Sequence, residues 1–371
     1  MRTTRATLYT LTLTLLLGGL ALLLLIDGEI AAAGVARGLS LCVETLLPAL
    51  FPFLVLSELL VKRQAADLIA GAISRPVRGL FGISGRGGAA LLLGILCGAP
   101  VGTVTATALR RQGAITGEEL QRLILFVNNP SAGFLIGAVG GAMLGDTAAG
   151  VALFIITWLS ALLVALSLRL LLGKTALPTL ESAPAAPPPL SVNELTESIT
   201  RGFAALARIF AFVLFFSCIS ACLGTRLLGM GLPQRAVDLI CGLWEMTAGI
   251  SAAVAHFPPQ TAFLTVAFLA SFSGLSICLQ IFSIAQGERL QMRVYLLSRL
   301  LQGGFALLLA ALYLRIFSPA LTPTDCTVTF FENPVGRGHL LSVMTLTPLL
   351  LLPLALRQQR KKRRDRSRRS A

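Results

Sequence analysis

The chain has 371 residues, of which 55% are hydrophobic and only 13% charged. Soluble domains carry about 25% charged residues, so most side chains here do not face water and a soluble domain is excluded. The net charge of +14 is uneven, because residues 357–371 alone carry nine Lys or Arg and one Asp, or +8.

The first apolar run covers about 8–26 without a charge. Arg2 and Arg5 before it and Ala31-Ala32-Ala33 after it suit a secretory signal. A signal core is roughly 7–15 residues, and this run is longer, so a retained span is expected. A second span is predicted over about 38–61, containing Glu44, Pro48 and Pro52. Residues 64–81 are amphipathic, with Arg75 and Arg78, and are expected along the surface. The segment 87–109 is apolar but broken at Gly98-Ala99-Pro100. The segment 117–144 is long and broken at Asn128-Asn129-Pro130, and 147–171 reads as an unbroken apolar helix.

A polar stretch from Gly173 to about Asn193, with Pro184 and Pro187-Pro188-Pro189, reads as a linker. Beyond it come a span at 197–223, an interrupted segment at 235–256 and a span at 260–286 broken around Ser271-Phe272-Ser273-Gly274. A helix at 291–317, a polar loop at 318–339 and a last span at 340–356 complete the series. The order of features repeats. Asn129 and Ser273 lie 144 positions apart, Pro100 and Glu245 lie 145 apart, and the closing helices begin at 147 and 291. The chain therefore divides into 1–37 (first transmembrane helix and loop), a repeat at 38–172, the linker 173–194, and a second repeat at 195–317. An outer loop with the last helix (318–356) and the basic tail (357–371) follow.

Positive charge sets orientation. With both termini cytoplasmic, Lys62, Arg63, Arg75, Arg78 and Arg86 fall inside. The segment 87–109 is flanked by Arg86 and by Arg110-Arg111, so a full crossing would leave one basic cluster outside. A re-entrant hairpin keeps both inside. The matching segment 235–256 then dips from the outer face, and only Arg226, Arg235 and Arg315 violate the rule. The expected fold is an all-α polytopic membrane protein. It has about eight transmembrane helices, two re-entrant hairpins and an inverted structural repeat, the plan of many secondary transporters. The tail is read as a cytoplasmic anchor near anionic lipid, not as a nucleic-acid arm.

Broken helices at mid-membrane expose backbone groups and dipole ends that can bind a solute. The breaks nominate Gly98, Pro100, Gly102, Thr103, Asn128, Asn129 and Ser131 in the first half. In the second half they nominate Glu245, Thr247, Ser271 and Ser273. One such break is an ordinary kink; four, paired at a constant shift, favour a substrate site. Glu245 and Glu44 are carboxylates inside apolar segments, which are functional candidates by default. Gln280 and Arg208 are secondary candidates. The seven Cys are scattered and the two His far apart, so no disulfide framework, metal site or cofactor is expected. No Walker A, GxSxG or HExxH motif occurs, and no enzyme is expected.

The run Leu47-Pro48-Ala49-Leu50-Phe51-Pro52-Phe53 stands before the Cys97-Gly98-Ala99-Pro100-Val101-Gly102 core. It is followed by Gly117-Glu118-Glu119, Arg122-Leu123 and Asn128-Asn129-Pro130-Ser131-Ala132-Gly133-Phe134. Over about 38–317 this resembles the YlbJ family of sporulation integral membrane proteins, in the nucleoside-transporter/FeoB Gate domain group. The resemblance is specific in the first half and looser in the second. It implies two Gate-like repeats whose paired hairpins meet at a central site. It also implies endospore-forming bacteria and passage of dipicolinate, a small aromatic dicarboxylate, out of the mother cell across the outer forespore membrane. The expected partners are the lipid bilayer and a small-molecule anion or nucleoside-like solute, with no nucleic acid; a homo-oligomer is left open. A nucleoside substrate, or a non-transporting scaffold for cortex or coat assembly acting through the tail, are the alternatives.

Overall fold

The computed structural model describes residues 2–62, 65–172 and 191–317. Most of the linker, the polar loop 318–339, the span 340–356 and the basic tail lie outside the described residues. Every regular element among those described is helical.

Helix α1 (Arg2–Ile26) meets α2 (Gly28–Ser40) at Asp27, with a bend of 93°. Residues 28–37, expected as loop, are therefore helical. A π-helical turn (Leu41–Leu46) leads into α3 (Leu47–Lys62). Pro48 offers no N–H to the carbonyl four residues back, and the helix widens there. The amphipathic α4 (Ala65–Phe81) packs along α5 (Gly85–Cys97). Ser84 caps α5, its Oγ accepting from the Gly87 N–H at 3.0 Å.

After the turn at residues 98–100, α6 (Val101–Arg111) folds back on α5. Residues eight apart on a continuous helix stand about 12 Å apart. Here a Cβ added to Gly94 would lie 3.5 Å from the Gly102 Cα, so the two arms form a tight helical hairpin. The second half repeats it with α10 (Gln234–Trp244) and α11 (Met246–His256), where a Cβ on Gly242 would lie 3.0 Å from the Gly249 Cα. A side chain at any of these four glycines would hold the arms apart.

The segment 117–144, expected as one span with a break, is divided more deeply than that. Helix α7 (Gly117–Ile124) is followed by irregular backbone and then by a π-helical segment, Gly133–Met143. Neither piece alone has the roughly 20 residues that cross a bilayer. In the second half, α12 (Pro259–Phe272) and α13 (Gly274–Ile284) continue one another across Ser273. The remaining helices are α8 (Thr147–Leu172), α9 (Val192–Gly229) and α14 (Met292–Phe317). Ser191 caps α9, its Oγ accepting from the Glu194 N–H at 3.1 Å.

By length and composition, α8, α9, the α12–α13 pair and α14 are able to cross a membrane. The bent α1–α2 pair makes a fifth. Thus four or five of the expected eight spans stand out among the described residues. Burial departs from that of a soluble protein at both ends of the polarity scale. Leu308, Leu312 and Ile316 on α14, Leu170 and Leu171 on α8, and Phe203 on α9 are exposed. Asn128, Asn129, Arg299 and Gln302 are all 0% exposed. In water such apolar faces would aggregate; against lipid they lose nothing.

The core interlocks the two halves. Leu109, Ile124 and Val164 share one cluster with Cys278, Ile281 and Tyr295. Leu135 and Leu153 share another with Met246, Ile250, Phe263 and Ala306. In each half the second hairpin arm packs on the other half's broken helix, α6 on α13 and α11 on the π-helical segment.

Candidate functional site

Two junctions form where hairpin tips meet broken helices. In the first, Pro130 can donate no backbone hydrogen bond, and two asparagine amides close the preceding turn instead. Asn128 Nδ2 donates to the Ile124 carbonyl at 3.1 Å, and Asn129 Nδ2 to the Phe126 carbonyl at 2.8 Å. Thr103 Oγ1, from the hairpin, donates to Asn128 Oδ1 at 2.6 Å. The Ala99 N–H donates to the Asn129 carbonyl at 2.6 Å. Gly98 has φ +80, and a Cβ there would lie 2.5 Å from the Ser131 nitrogen, so only glycine fits. Ser131 Oγ accepts from the Phe134 N–H at 3.2 Å and caps the following segment. Pro100 opens α6, and Gly102 lies against Val127. All seven first-half candidates thus come together, and all are buried.

The second junction mirrors this arrangement. Glu245 sits in extended backbone between α10 and α11. Its carboxylate accepts from the Thr247 N–H at 3.1 Å and the Ala248 N–H at 2.7 Å. It therefore caps α11, where the helix dipole favours negative charge. Gly274 stands where a Cβ would meet the Met246 nitrogen at 3.0 Å. Ser273 adopts a left-handed φ of 71°, and its Oγ donates to the Ala270 carbonyl at 3.2 Å. Ser271 Oγ is buried without a partner. Glu245, Thr247 and Ser273 are thus brought to one junction beside Ser271. Among the described residues no hydrogen bond links a candidate of one junction directly to a candidate of the other.

The other polar candidates lie apart. Glu44 is exposed and accepts from Ser40 Oγ at 2.8 Å. Arg208 is exposed on α9. Gln280 is buried, and its Nε2 donates to Ser276 Oγ at 3.4 Å. Among the described residues no His, Cys, Asp or Glu cluster is arranged to hold a metal ion.

The connection between the halves comes from α14, which sequence reading treats as a plain closing helix. Arg299 donates through one NH2 group to the Asn128 carbonyl at 2.9 Å and through the other to the Leu125 carbonyl. Its guanidinium lies 5.4 Å from the Tyr295 ring centre. Gln302 Nε2 donates to Asn129 Oδ1 at 2.5 Å and to the Thr157 carbonyl at 3.3 Å. The available signal was spacing: Tyr295, Arg299 and Gln302 share one helix face, with a charge two turns into an apolar helix. A cleft of about 140 Å³ opens beside this knot rather than at the breaks, lined by residues that include Gln121, Arg122, Leu125, Gln291 and Tyr295.

Ion pairs fasten the periphery. Arg226 holds Asp27 in a buried two-point bridge, Nε to Oδ2 at 2.6 Å and NH2 to Oδ1 at 2.5 Å. Arg110 lies 3.9 Å from Glu288, and Arg201 lies 4.0 Å from Glu58. Asp238 and His256 join the arms of the second hairpin at 2.8 Å.

No protein-family model and no solved structure matches the chain. The chain is similar to the sporulation integral membrane protein YlbJ of Bacillus subtilis (strain 168). Identity is 28% over 319 residues, covering 77% of this chain and 77% of that protein. A helical body with membrane-length apolar helices agrees with this similarity, which makes the chain a homologue of the sporulation integral membrane protein YlbJ.

Proposed function

We propose that the chain passes a small polar solute through the membrane during endospore formation, with dipicolinate leaving the mother cell across the outer forespore membrane as the cargo. The observation that carries this reading is the pair of junctions. Twice, a glycine-packed hairpin tip meets the interruption of a broken helix inside an otherwise apolar body. Irregular backbone at membrane depth is tolerated where it is enclosed by protein or lines a solute path.

Eight spans with two re-entrant hairpins of opposite hand remain the topology that fits best. Three ion pairs favour it, because each joins ends that positive charge assigns to one face. Asp27 and Arg226 belong to the outer face, while Glu58 with Arg201 and Arg110 with Glu288 belong to the inner. Arg226, a violation when its charge is counted alone, is neutralised by Asp27. The glycine pairs of the hairpins lie 148 and 147 positions apart, close to the spacing of the breaks. Single cysteines at Arg86 and Arg111 are expected to react with an impermeant thiol reagent from the same side of the membrane. Labelling from opposite sides would make 87–109 a full span and remove the inverted repeat.

The functional test is flux. Full-length protein in liposomes is expected to release dipicolinate, and Asn129→Ala to slow it by about tenfold. That corresponds to the roughly 1–2 kcal/mol of one buried hydrogen-bonding group. Deleting 357–371 is expected to leave flux intact, whereas a scaffold acting through the tail would fail without it. Uridine flux without dipicolinate flux would favour the nucleoside reading. Normal spore dipicolinate in a strain lacking the gene would overturn the proposal.

A further inference from the structure

Helix α14 presents three buried polar side chains on one face: Tyr295 at 2% exposure, and Arg299 and Gln302 at 0%. Each keeps a buried polar atom without a hydrogen-bond partner, namely Tyr295 Oη, Arg299 Nε and Gln302 Oε1. Tyr295 Oη lies beside the Asn128 side chain without completing a hydrogen bond in good geometry. Buried polar groups are nearly always satisfied, so three orphaned atoms along one face require a cause.

Arg299 sharpens the point. A guanidinium stays charged in proteins, and an uncompensated charge inside a membrane protein is costly. The partners of Arg299 are two carbonyls and an aromatic ring. Among the described residues no carboxylate pairs with it. Arg226, equally enclosed, shows what compensation looks like, with Asp27 bound at two points. The carbonyls at the end of α7 supply only partial negative charge. The cleft borders Leu125 and Tyr295, both of which touch Arg299, so the unsatisfied face adjoins that cleft.

We infer that this face of α14 is the anion-binding station of the solute path. Arg299 and Tyr295 donate to the carboxylate of a small organic acid, and Gln302 Oε1 accepts from a second polar group on it. The inference deepens the transport reading and rests on it for the arrival of a solute. It adds a carboxylate requirement that the junctions alone do not impose, since their asparagines donate and accept equally.

Binding to detergent-purified, full-length protein tests it by calorimetry with pyridine-2,6-dicarboxylate, its neutral diamide and uridine. The wild type is expected to bind the dicarboxylate at least about tenfold more tightly than the diamide. Arg299→Lys keeps the charge but loses the forked donor set, and is expected to weaken dicarboxylate binding about tenfold. Tyr295→Phe removes only a hydroxyl that completes no hydrogen bond. It is expected to weaken binding roughly threefold or more at an unchanged melting temperature. A merely structural Arg299 would leave Tyr295→Phe binding as the wild type does. Should Arg299→Lys fail to fold, Tyr295→Phe decides alone. Unchanged dicarboxylate affinity in the folded variants, or equal affinity of the wild type for diamide and dicarboxylate, overturns the assignment. If wild-type liposomes still carry solute in that case, the transport reading survives it. Conversely, carboxylate binding that falls in the variants, with no flux of any solute by the wild type, leaves the station standing and removes transport.

Discussion

Replacing Asp27 with Ala is expected to lower stability by roughly 3–5 kcal/mol, because it leaves the Arg226 guanidinium buried and unpaired. Natural proteins are stable by about 5–15 kcal/mol, so a large share of the stability would be lost. The pair is bidentate and enclosed, with side chains 3% and 4% exposed. It ties the 93° corner between α1 and α2 to the far end of α9. Removing both partners is a different experiment. Asp27→Leu with Arg226→Met substitutes apolar volume for a desolvated ion pair, a change that is often neutral. The double variant is therefore expected to accumulate far better than Asp27→Ala, as read by the monodisperse fraction and the melting temperature in detergent. A double variant as unstable as the single one would show that the corner needs the charges themselves.

The breaks were legible because Gly and Pro act locally. Gly98-Ala99-Pro100 ends α5 and starts α6, Asn128-Asn129-Pro130 lies in the irregular backbone between α7 and the π-helical segment, and Ser273 separates α12 from α13. A missing N–H or a left-handed φ is decided within a few residues. What sequence reading could not reach was decided across the chain. Arg299 bonds a carbonyl 171 positions away, and Arg226 pairs with an acid 199 positions away. Read alone, Arg226 is a topological violation, and Arg299 is a charge near the start of a span. Glu245 shows the reverse case. It was singled out as a costly intramembrane carboxylate, yet its two oxygens are taken by N–H groups of its own next turn. Residues 28–37 were missed for a third reason. Gly34 and Gly38 weaken a helix read by propensity, but they let α2 lie directly on α9, with the Cys218 Cα only 3.0 Å from a Cβ placed on Gly34.

Gly98→Ala is expected to cut flux at least about tenfold, and its control is Gly113→Ala. Both glycines have positive φ, +80 and +73, where an L-residue is strained, and Gly98, with ψ −175, sits in a region that is essentially reserved for glycine. They differ in what surrounds them. A Cβ at Gly113 meets nothing within 4 Å, whereas at Gly98 it would lie 2.5 Å from the Ser131 nitrogen and 2.8 Å from the Ser131 Cα. Those obstacles are backbone and cannot rotate away. The hairpin tip must back off from the broken helix, and the Ala99 hydrogen bond to the Asn129 carbonyl must lengthen with it. Because Arg299 and Gln302 grip the same broken segment from the other side, the displacement reaches α14 as well. Dipicolinate flux from liposomes, compared at equal amounts of folded protein, separates lost folding from a misplaced junction. Gly113→Ala is expected to keep wild-type flux with a slightly lower melting temperature, and Gly98→Ala to lose at least about tenfold in flux through misplacement of the junction. Equal flux from the two variants would mean that the solute does not pass where the first hairpin meets Ser131. The path would then have to be sought along the cleft and α14 without the hairpin tips.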